Sequence, residues 1–502
     1  MRNTVIKLKS IKLNNFKNVK NGKIEFKEGR EVNSISNILG IYGQNGSGKT
    51  SVINAIYLLK RLASGQGLIK KHLNYINSES DFATLNFEFR IWEKEELYRV
   101  FYKFEIRKKE IRKSNFEYNM PFITELYYEN YNENFKFTKD FDIEVSKEKL
   151  SYSKFEDNMW KNRVTIIDYD IDNKDYAFRP IKNYKEVANT TDKKVSIGIA
   201  KGLSEENATS FIFNIKTFAL LISSFSKTNK NHSKIITSIR NFAILNLFVI
   251  QNDDLGVINS NILIPFSFML DNNKKMVRGN INIKLFDTST IEIDKFDTVK
   301  KILEQINIVL STLVPNLKIE LKNYGKETTS SGKEGYKVEL LSLRGKNAIP
   351  LKYESDGIKK IISILSVLIG MYNNENILVA IDELDAGIFE YLLGEILEIL
   401  SKNARGQLIF TSHNLRALEK LNKDLVIFTT TNPENRYIGL NSIKGMNNLR
   451  DFYYRGIILG GQREELYDET NKYEISYAFQ KAWMINHDIN NESYKNNIDN
   501  EI

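Results

Sequence analysis

Residues 40–59 read GIYGQNGSGKTSVINAIYLL, and the run Gly43, Gln44, Asn45, Gly46, Ser47, Gly48, Lys49, Thr50 inside it decides the fold. Ile38, Leu39 and Ile41 before it make an apolar strand, and Val52, Ile53, Ile56 and Leu59 after it recur at helical spacing. Every fixed position of G-x-x-x-x-G-K-[ST] is filled, in the strand–loop–helix context the motif requires. Glycines at 43, 46 and 48 let backbone N–H groups curl around phosphate oxygens, and the helix start adds its partial positive charge. The pattern assigns Lys49 to the β- and γ-phosphates and Thr50 to Mg²⁺, with Ser51 closing the candidate binding run. A glycine loop without a ligand is the plain alternative, and it leaves the filled positions unexplained. The stretch reads as a nucleoside triphosphate site.

At 502 residues the chain suits two or three domains, and 42% apolar with 27% charged residues fits a globular protein. It has no cysteine, which excludes disulfides, zinc–thiolate sites and a thiol nucleophile. The opening MRNTVIKLKS has no apolar core of signal-peptide length. The most apolar runs, Phe242 to Ile250 and Ile262 to Leu270, fall short of the roughly 20 residues of a membrane span. A cytoplasmic protein without a membrane partner is expected. The formal charge of +9 points weakly to an anionic partner. The composition is rich in Lys, Asn and Ile, and basic charge of that origin spreads over solvated faces, so a nucleic-acid surface stays an open alternative.

Before the glycine loop, residues 5–27 alternate in two bursts around Asn14 to Asn18, as two strands and a turn do. Lys17 sits in that turn, either solvated or within reach of phosphate. After the first helix, Thr84 to Ile91 and Leu97 to Arg107 alternate strongly around the turn Glu93 to Glu96, and Ile123 to Tyr128 reads as a third strand. The densest basic run, Arg107 to Lys113, reads as a solvated turn before it reads as a docking site. Val164 to Ile167 is a short strand, with Asp168, Asp170 and Asp172 expected in the turn after it. Helical spacing is expected over Ala208 to Ser223, Ser233 to Leu247 and Thr298 to Leu313, with strands at Ile262 to Met269 and Ile281 to Leu285. A hairpin, Leu317 to Lys322 and Tyr336 to Leu343, follows.

The second half of the site comes late. Ser355 and Gly357 open an apolar-periodic helix, with Ser355 a good N-cap and the helix start a candidate for a γ-phosphate. Ile377 to Leu384 reads ILVAIDEL, a buried strand ending in Asp382 and Glu383. Adjacent carboxylates there are costly unless a cation compensates them. Asp382 is therefore read as the Mg²⁺ holder and Glu383 as the group that polarises the attacking water. Leu408 to Thr411 is another buried strand, followed by Ser412, His413 and Asn414, which places His413 to contact the γ-phosphate.

The order of these parts resembles the ABC-type ATPase heads of the SMC, RecF and overcoming-lysogenisation-defect families. The matching pieces are Ile11 to Asn18, GQNGSGKT, ESDGIKK (354–360) where transporters carry LSGGQ, IDELD (381–385) and TSHN (411–414). The chain is especially similar to stand-alone AAA family ATPases of this group, many of which sit in bacterial anti-phage operons. The resemblance implies an α/β fold, a P-loop sheet plus an antiparallel β layer, and ATP with Mg²⁺ as cofactors. It implies division into residues 1–190 and 315–430 as the two halves of the head, 191–314 as a mainly helical insertion, and 431–502 as a C-terminal segment with a polar tail. It also implies that two heads sandwich two nucleotides in a homodimer or higher even oligomer, with Ser355 and Gly357 serving the partner's nucleotide and Asp385 at the seam. The glutamine of the Q-loop is unassigned, and so is the role of the LGGQ at Leu459 to Gln462. Glu464, Glu465, Asp468 and Glu469 sit in a polar helical pattern without a strand-borne carboxylate cluster, so no nuclease is expected on this chain. The expected function is a dimeric ATP-hydrolysing switch in anti-phage defence, controlling a separate effector encoded nearby. The alternative is a RecF- or SMC-like DNA-maintenance ATPase.

Overall fold

The computed structural model describes residues 4–28, 35–110, 141–272, 275–329, 332–439, 449–458, 464–467 and 471–485. The expected strand Ile123 to Tyr128, the LGGQ and the tail from Asn490 lie outside the described residues. The chain begins with β1 (Val5–Phe16), β2 (Val19–Glu25) and β3 (Ile38–Tyr42), then α1 (Lys49–Ala63). Strands β4 (Phe82–Glu93), β5 (Glu96–Glu110), β6 (Phe141–Glu156), β7 (Met159–Trp160) and β8 (Val164–Asp170) follow. Helices α2 (Ile181–Val187), α3 (Thr191–Glu206), α4 (Ile215–Thr228) and α5 (Lys230–Asn241) lead through a π-helical turn, Phe242–Asn246, into β9 (Leu247–Ile250). After α6 (Asn252–Asn259) come β10 (Leu263–Asn272), β11 (Lys275–Lys284), β12 (Ser289–Glu292) and α7 (Ile293–Leu313). Then come β13 (Leu317–Thr328), β14 (Glu334–Arg344), β15 (Asn347–Pro350), α8 (Asp356–Asn373) and β16 (Leu378–Ile381). The remainder is α9 (Glu390–Asn403), β17 (Gln407–Ser412), α10 (Arg416–Lys420), β18 (Val426–Thr429), β19 (Tyr437–Gly439), α11 (Leu449–Ile458) and α12 (Lys472–Ile485).

Among the described residues the central sheet runs β19-β18-β3-β17-β16-β9, with β9, β16, β17, β3 and β18 parallel and β19 antiparallel. Its strands are apolar on both faces, as buried parallel strands must be. The period of two then sorts their side chains between two cores. Leu39, Ile41, Leu378, Ala380, Ile409 and Ile427 pack on one face, and Ile38, Tyr42, Val379, Ile381, Leu408, Phe410 and Phe428 on the other. The first core is closed by α1, α4, α5 and an antiparallel sheet of order β2-β1-β4-β5-β6, on which β8 also pairs with β6. The second is closed by α7, α8, α9 and the hairpin of β13 and β14. This is the α/β fold with a P-loop sheet and an antiparallel layer that the motifs led us to expect. Each fully buried Ile, Leu or Val in these layers contributes about 1.5–3 kcal/mol. Helix α1, with Val52, Ile53, Ile56 and Leu59 buried, holds the glycine loop against that mass.

Some expectations need correction: the helix expected over Ala208 to Ser223 begins only at Ile215 and runs to Thr228, and the basic run read as a turn continues β5 as far as Glu110. The sixteen-residue strand β6 was not anticipated, because its sequence, FDIEVSKEKLSYSKFE, carries many charges that read as solvated. Those charges find partners: Glu144 pairs with Arg107 at 2.7 Å, and Lys149 with Asp168 at 2.5 Å. Pairing with β6 also extends β8, so Asp168 and Asp170 belong to the strand and only Asp172 follows it. The helix expected over Ser233 to Leu247 is α-helical to Asn241 and π-helical from Phe242 to Asn246. Leu247 to Ile250 is instead an edge strand parallel to β16, since a β-branched, aromatic run gains more beside a buried strand than in a helix. The stretch 191–314 thus contributes a strand to the nucleotide sheet as well as helices. Arg107, first of the basic run, is held by Glu144 and Asp172.

Candidate functional site

Parallel strands present their C-terminal ends along one edge of the sheet, and the glycine loop follows β3 there. Gly43 has φ 151°, and a Cβ on it would lie 1.7 Å from Thr429 Oγ1, so the loop enters its curve against β18 only as glycine. Gly48 caps α1 in the left-handed region at φ 96°. The Lys49 ammonium is 6% exposed and donates to the Gly43 and Gln44 carbonyls, each at 2.8 Å. Burial pushes its pKa down to about 8, opposed by the nearby Asp382, Glu383 and Asp385.

The second half of the chain closes on this loop. Thr50 Oγ1 donates to Asp382 Oδ1 at 3.3 Å, joining the glycine loop to the end of β16. The same oxygen accepts from Thr411 Oγ1 at 2.6 Å, and Thr411 Oγ1 in turn accepts from the Glu383 amide at 2.7 Å. Asp382 is 1% exposed, and burial raises its carboxyl pKa against the lowering effect of the Thr411 and Thr50 hydroxyls. A buried carboxylate with the Thr50 hydroxyl beside it, at the mouth of a phosphate loop, fits Mg²⁺, which takes few protein ligands and completes its shell with phosphate and water. Among the described residues no group of three or more His, Asp or Glu gathers as an all-protein cage. Glu383 stands at φ 47°, a left-handed conformation costing a non-glycine residue about 1–3 kcal/mol. Lys360 Nζ holds that turn by donating to the Glu383 carbonyl at 2.5 Å and the Ala386 carbonyl at 3.0 Å.

His413 follows β17 with its ring exposed. Its amide and that of Asn414 both donate to Asp385 Oδ2, at 2.9 Å each. Partial burial and then the Lys49 charge lower the imidazole pKa. Ser355 is the N-cap of α8, its Oγ accepting from the Ile358 amide at 3.4 Å. At Gly357 a Cβ would lie 1.8 Å from the Gly387 carbonyl, so the start of α8 touches the turn that follows Glu383. α8 belongs to the second core and α1 to the first, and the two helices therefore lie on opposite faces of the sheet.

Gln44, Asn45, Gly46, Ser47 and Ser51 are placed by groups that the motifs do not reveal. Ser47 Oγ meets Thr429 Oγ1 at 2.5 Å, Asn18 Nδ2 donates to the Gly46 carbonyl, and Ser51 Oγ donates to Asn18 Oδ1 at 3.2 Å. Tyr437 OH donates to the Gly48 carbonyl and Arg436 to the Asn18 carbonyl, each at 2.8 Å. Lys17 stands over Tyr75 at 5.3 Å and feels the Asp382 charge, which puts it at the site. The sequence reading also missed Gln251. It follows β9, whose last carbonyl, that of Ile250, accepts from the Asp382 amide at 3.0 Å, and its Nε2 donates to Asn54 Oδ1 at 2.7 Å. The available signal was the strand-like LFVI run ending abruptly in Gln-Asn-Asp-Asp.

Lys360 offers a test through pH. It is 3% exposed and burial lowers its pKa to about 8, whereas an unfolded lysine keeps its proton to about pH 10.4. Between those values the unfolded chain binds more protons, so stability rises with pH. The wild-type unfolding free energy should gain about 1–3 kcal/mol relative to Lys360→Met between pH 8 and 10. Urea titrations read this, and parallel pH profiles for the two proteins would contradict it.

A parallel sheet carries the glycine loop, the acidic strand and the histidine-bearing strand end at one edge, under an antiparallel layer, which is the arrangement that the resemblance to ABC-type ATPase heads implied. The chain belongs to the AAA ATPase domain family, which it matches over residues 6–416. Among solved structures it is similar to the Smc head domain with an extended coiled coil bound to the C-terminal domain of ScpA from Pyrococcus furiosus, at 12% identity and TM-score 0.39, covering 90% of this chain and 98% of that chain. The SMC head domain from Thermotoga maritima gives 12% identity and TM-score 0.35, covering 87% and 99%. The recombination mediator protein RecF with ATP gives 13% and 0.31, covering 82% and 94%. Among curated proteins none matches the sequence. No helix among the described residues is long and apolar enough to cross a membrane.

Proposed function

We propose that the chain is a Mg²⁺-dependent ATPase whose heads pair around two nucleotides and act as a switch on a separate effector. The 3.3 Å bond between Thr50 and Asp382 carries this reading, because it brings the phosphate loop and the acidic strand to one point. The amides of Gly43 to Ser51 and the Lys49 ammonium cradle the β- and γ-phosphates. Thr50 and Asp382 hold the metal, with Gln251 at the neighbouring strand end. Bound Mg²⁺ supplies charge neutralisation at the phosphate oxygens. Glu383 orients and deprotonates the attacking water, and His413 faces the γ-phosphate. Since α8 starts on the far face of the sheet from α1, Ser355 and Gly357 suit a nucleotide held by a second copy. Tyr353 and Phe389, each 70% exposed, flank that helix start and the turn it touches, as aromatic anchors of a pairing surface do. The role in anti-phage defence and the effector draw their support from the sequence resemblance.

With ATP present, the hydrolysis-impaired Glu383→Gln chain should sediment as a dimer, and the double variant with Ser355→Arg as a monomer that still binds ATP. A double variant that dimerises as the parent does would remove the partner role from α8. Salt-sensitive, ATP-dependent DNA binding that survives loss of dimerisation would instead favour the DNA-maintenance reading.

A further inference from the structure

The aromatic-basic segment Leu449 to Gly456 has no part in the chemistry above, yet the fold sets it against the phosphate end of the site. Tyr453 stacks on Phe428 of β18, with ring centroids 4.9 Å apart and planes at 17°. The residue after Phe428 is Thr429, which bonds both Ser47 Oγ and the Tyr42 carbonyl, so this ring is fixed to the support of the glycine loop. The chain returns to the same edge further on. The Thr431 amide donates to the Glu465 carbonyl at 2.9 Å, Glu464 accepts from Asn432 and Asn435, and Leu466 is 2% exposed. These contacts seat Tyr467. A cavity of about 370 Å³ results, with Gly43, Gln44 and Asn45 on one side and His413, Tyr453 and Tyr467 around the rest. Lys49 Nζ rests on the Gly43 and Gln44 carbonyls of the same wall, so on the nucleotide reading proposed above this is the end for the terminal phosphate.

We propose that Tyr453 and Tyr467 read the terminal phosphate, donating their hydroxyls to γ-phosphate oxygens and thereby separating ATP from ADP. The inference rests on the nucleotide reading above and adds to it a second wall that comes from the C-terminal segment. Burial pushes the Tyr453 phenol up to about 12, so it stays a donor across the physiological range. A hydroxyl facing an anionic oxygen makes a charge-assisted bond, and a diphosphate leaves it without that acceptor. Phenylalanine keeps the ring, and for Tyr453 the stack on Phe428, while removing only the donor.

Calorimetric titration of ATP and ADP into the full Glu383→Gln chain tests this. Adding Tyr453→Phe or Tyr467→Phe should weaken ATP roughly tenfold, the equivalent of one hydrogen bond to a charged group, and leave ADP unchanged. ATP affinity unaltered by both changes, or ATP and ADP weakened alike, overturns the proposal. Lys49→Ala in the same assay separates the two levels. If it loses both nucleotides while the tyrosine variants match the parent, the ATP site stands and the tyrosine role falls. If Lys49→Ala binds both as the parent does, both readings fall.

Discussion

Glu383→Gln should lower ATP turnover by about 10²- to 10⁴-fold, the usual contribution of a positioned general base, and leave ATP affinity within a fewfold of wild type. Gln keeps the shape and removes the charge that accepts a proton from water. The turn is held from outside the side chain, by the Glu383 amide on Thr411 Oγ1 at 2.7 Å and by Lys360 on the Glu383 carbonyl at 2.5 Å. The left-handed backbone at φ 47° is therefore kept in the variant, and the loss falls on chemistry. Phosphate release measured with ATP in excess, beside a binding titration, checks both halves. Turnover within threefold of wild type would show that another group activates the water.

Lys49→Ala should weaken ATP by about 10²- to 10⁴-fold, the sum of two charge-assisted hydrogen bonds to phosphate at about 1.5–3 kcal/mol each. The same change leaves the nucleotide-free fold close to wild type in stability. The ammonium is buried at 6% exposure and satisfied by two loop carbonyls, so its removal trades those bonds for relief of a desolvated charge. Weak binding with an unchanged melting temperature is the expected pair of results. A variant that melts much earlier would show that Lys49 serves the loop's structure before it serves phosphate.

The parts of the site that a short window can encode were legible. GQNGSGKT needs glycine where Gly43 meets Thr429 and where Gly48 turns left-handed, and ILVAIDEL announces a strand buried on both faces with carboxylates at its end. Ser355 as a helix cap follows from the same local logic. β9 was not legible, because four apolar residues are too few to tell a strand from the last turn of a helix by period. With β9 went Gln251, which has meaning only beside the Asp382 it adjoins. The sixteen residues of β6 were hidden for the opposite reason, since their charges read as solvent-facing until Arg107 and Asp168 stand opposite them.

By itself the amino-acid order determined the class of fold, the triphosphate loop, and the acidic and histidine-bearing strand ends, since each is a pattern within about a dozen neighbours. Tertiary structure alone decided what surrounds them: Asn18 and Tyr437 on the loop's carbonyls, Thr411 between Asp382 and Glu383, and Tyr453 and Tyr467 lining one cavity with His413. Such contacts join residues from 28 to 389 positions apart, beyond the reach of any short window. They depend on which strand lies beside which, and that is set by how two cores pack across one sheet.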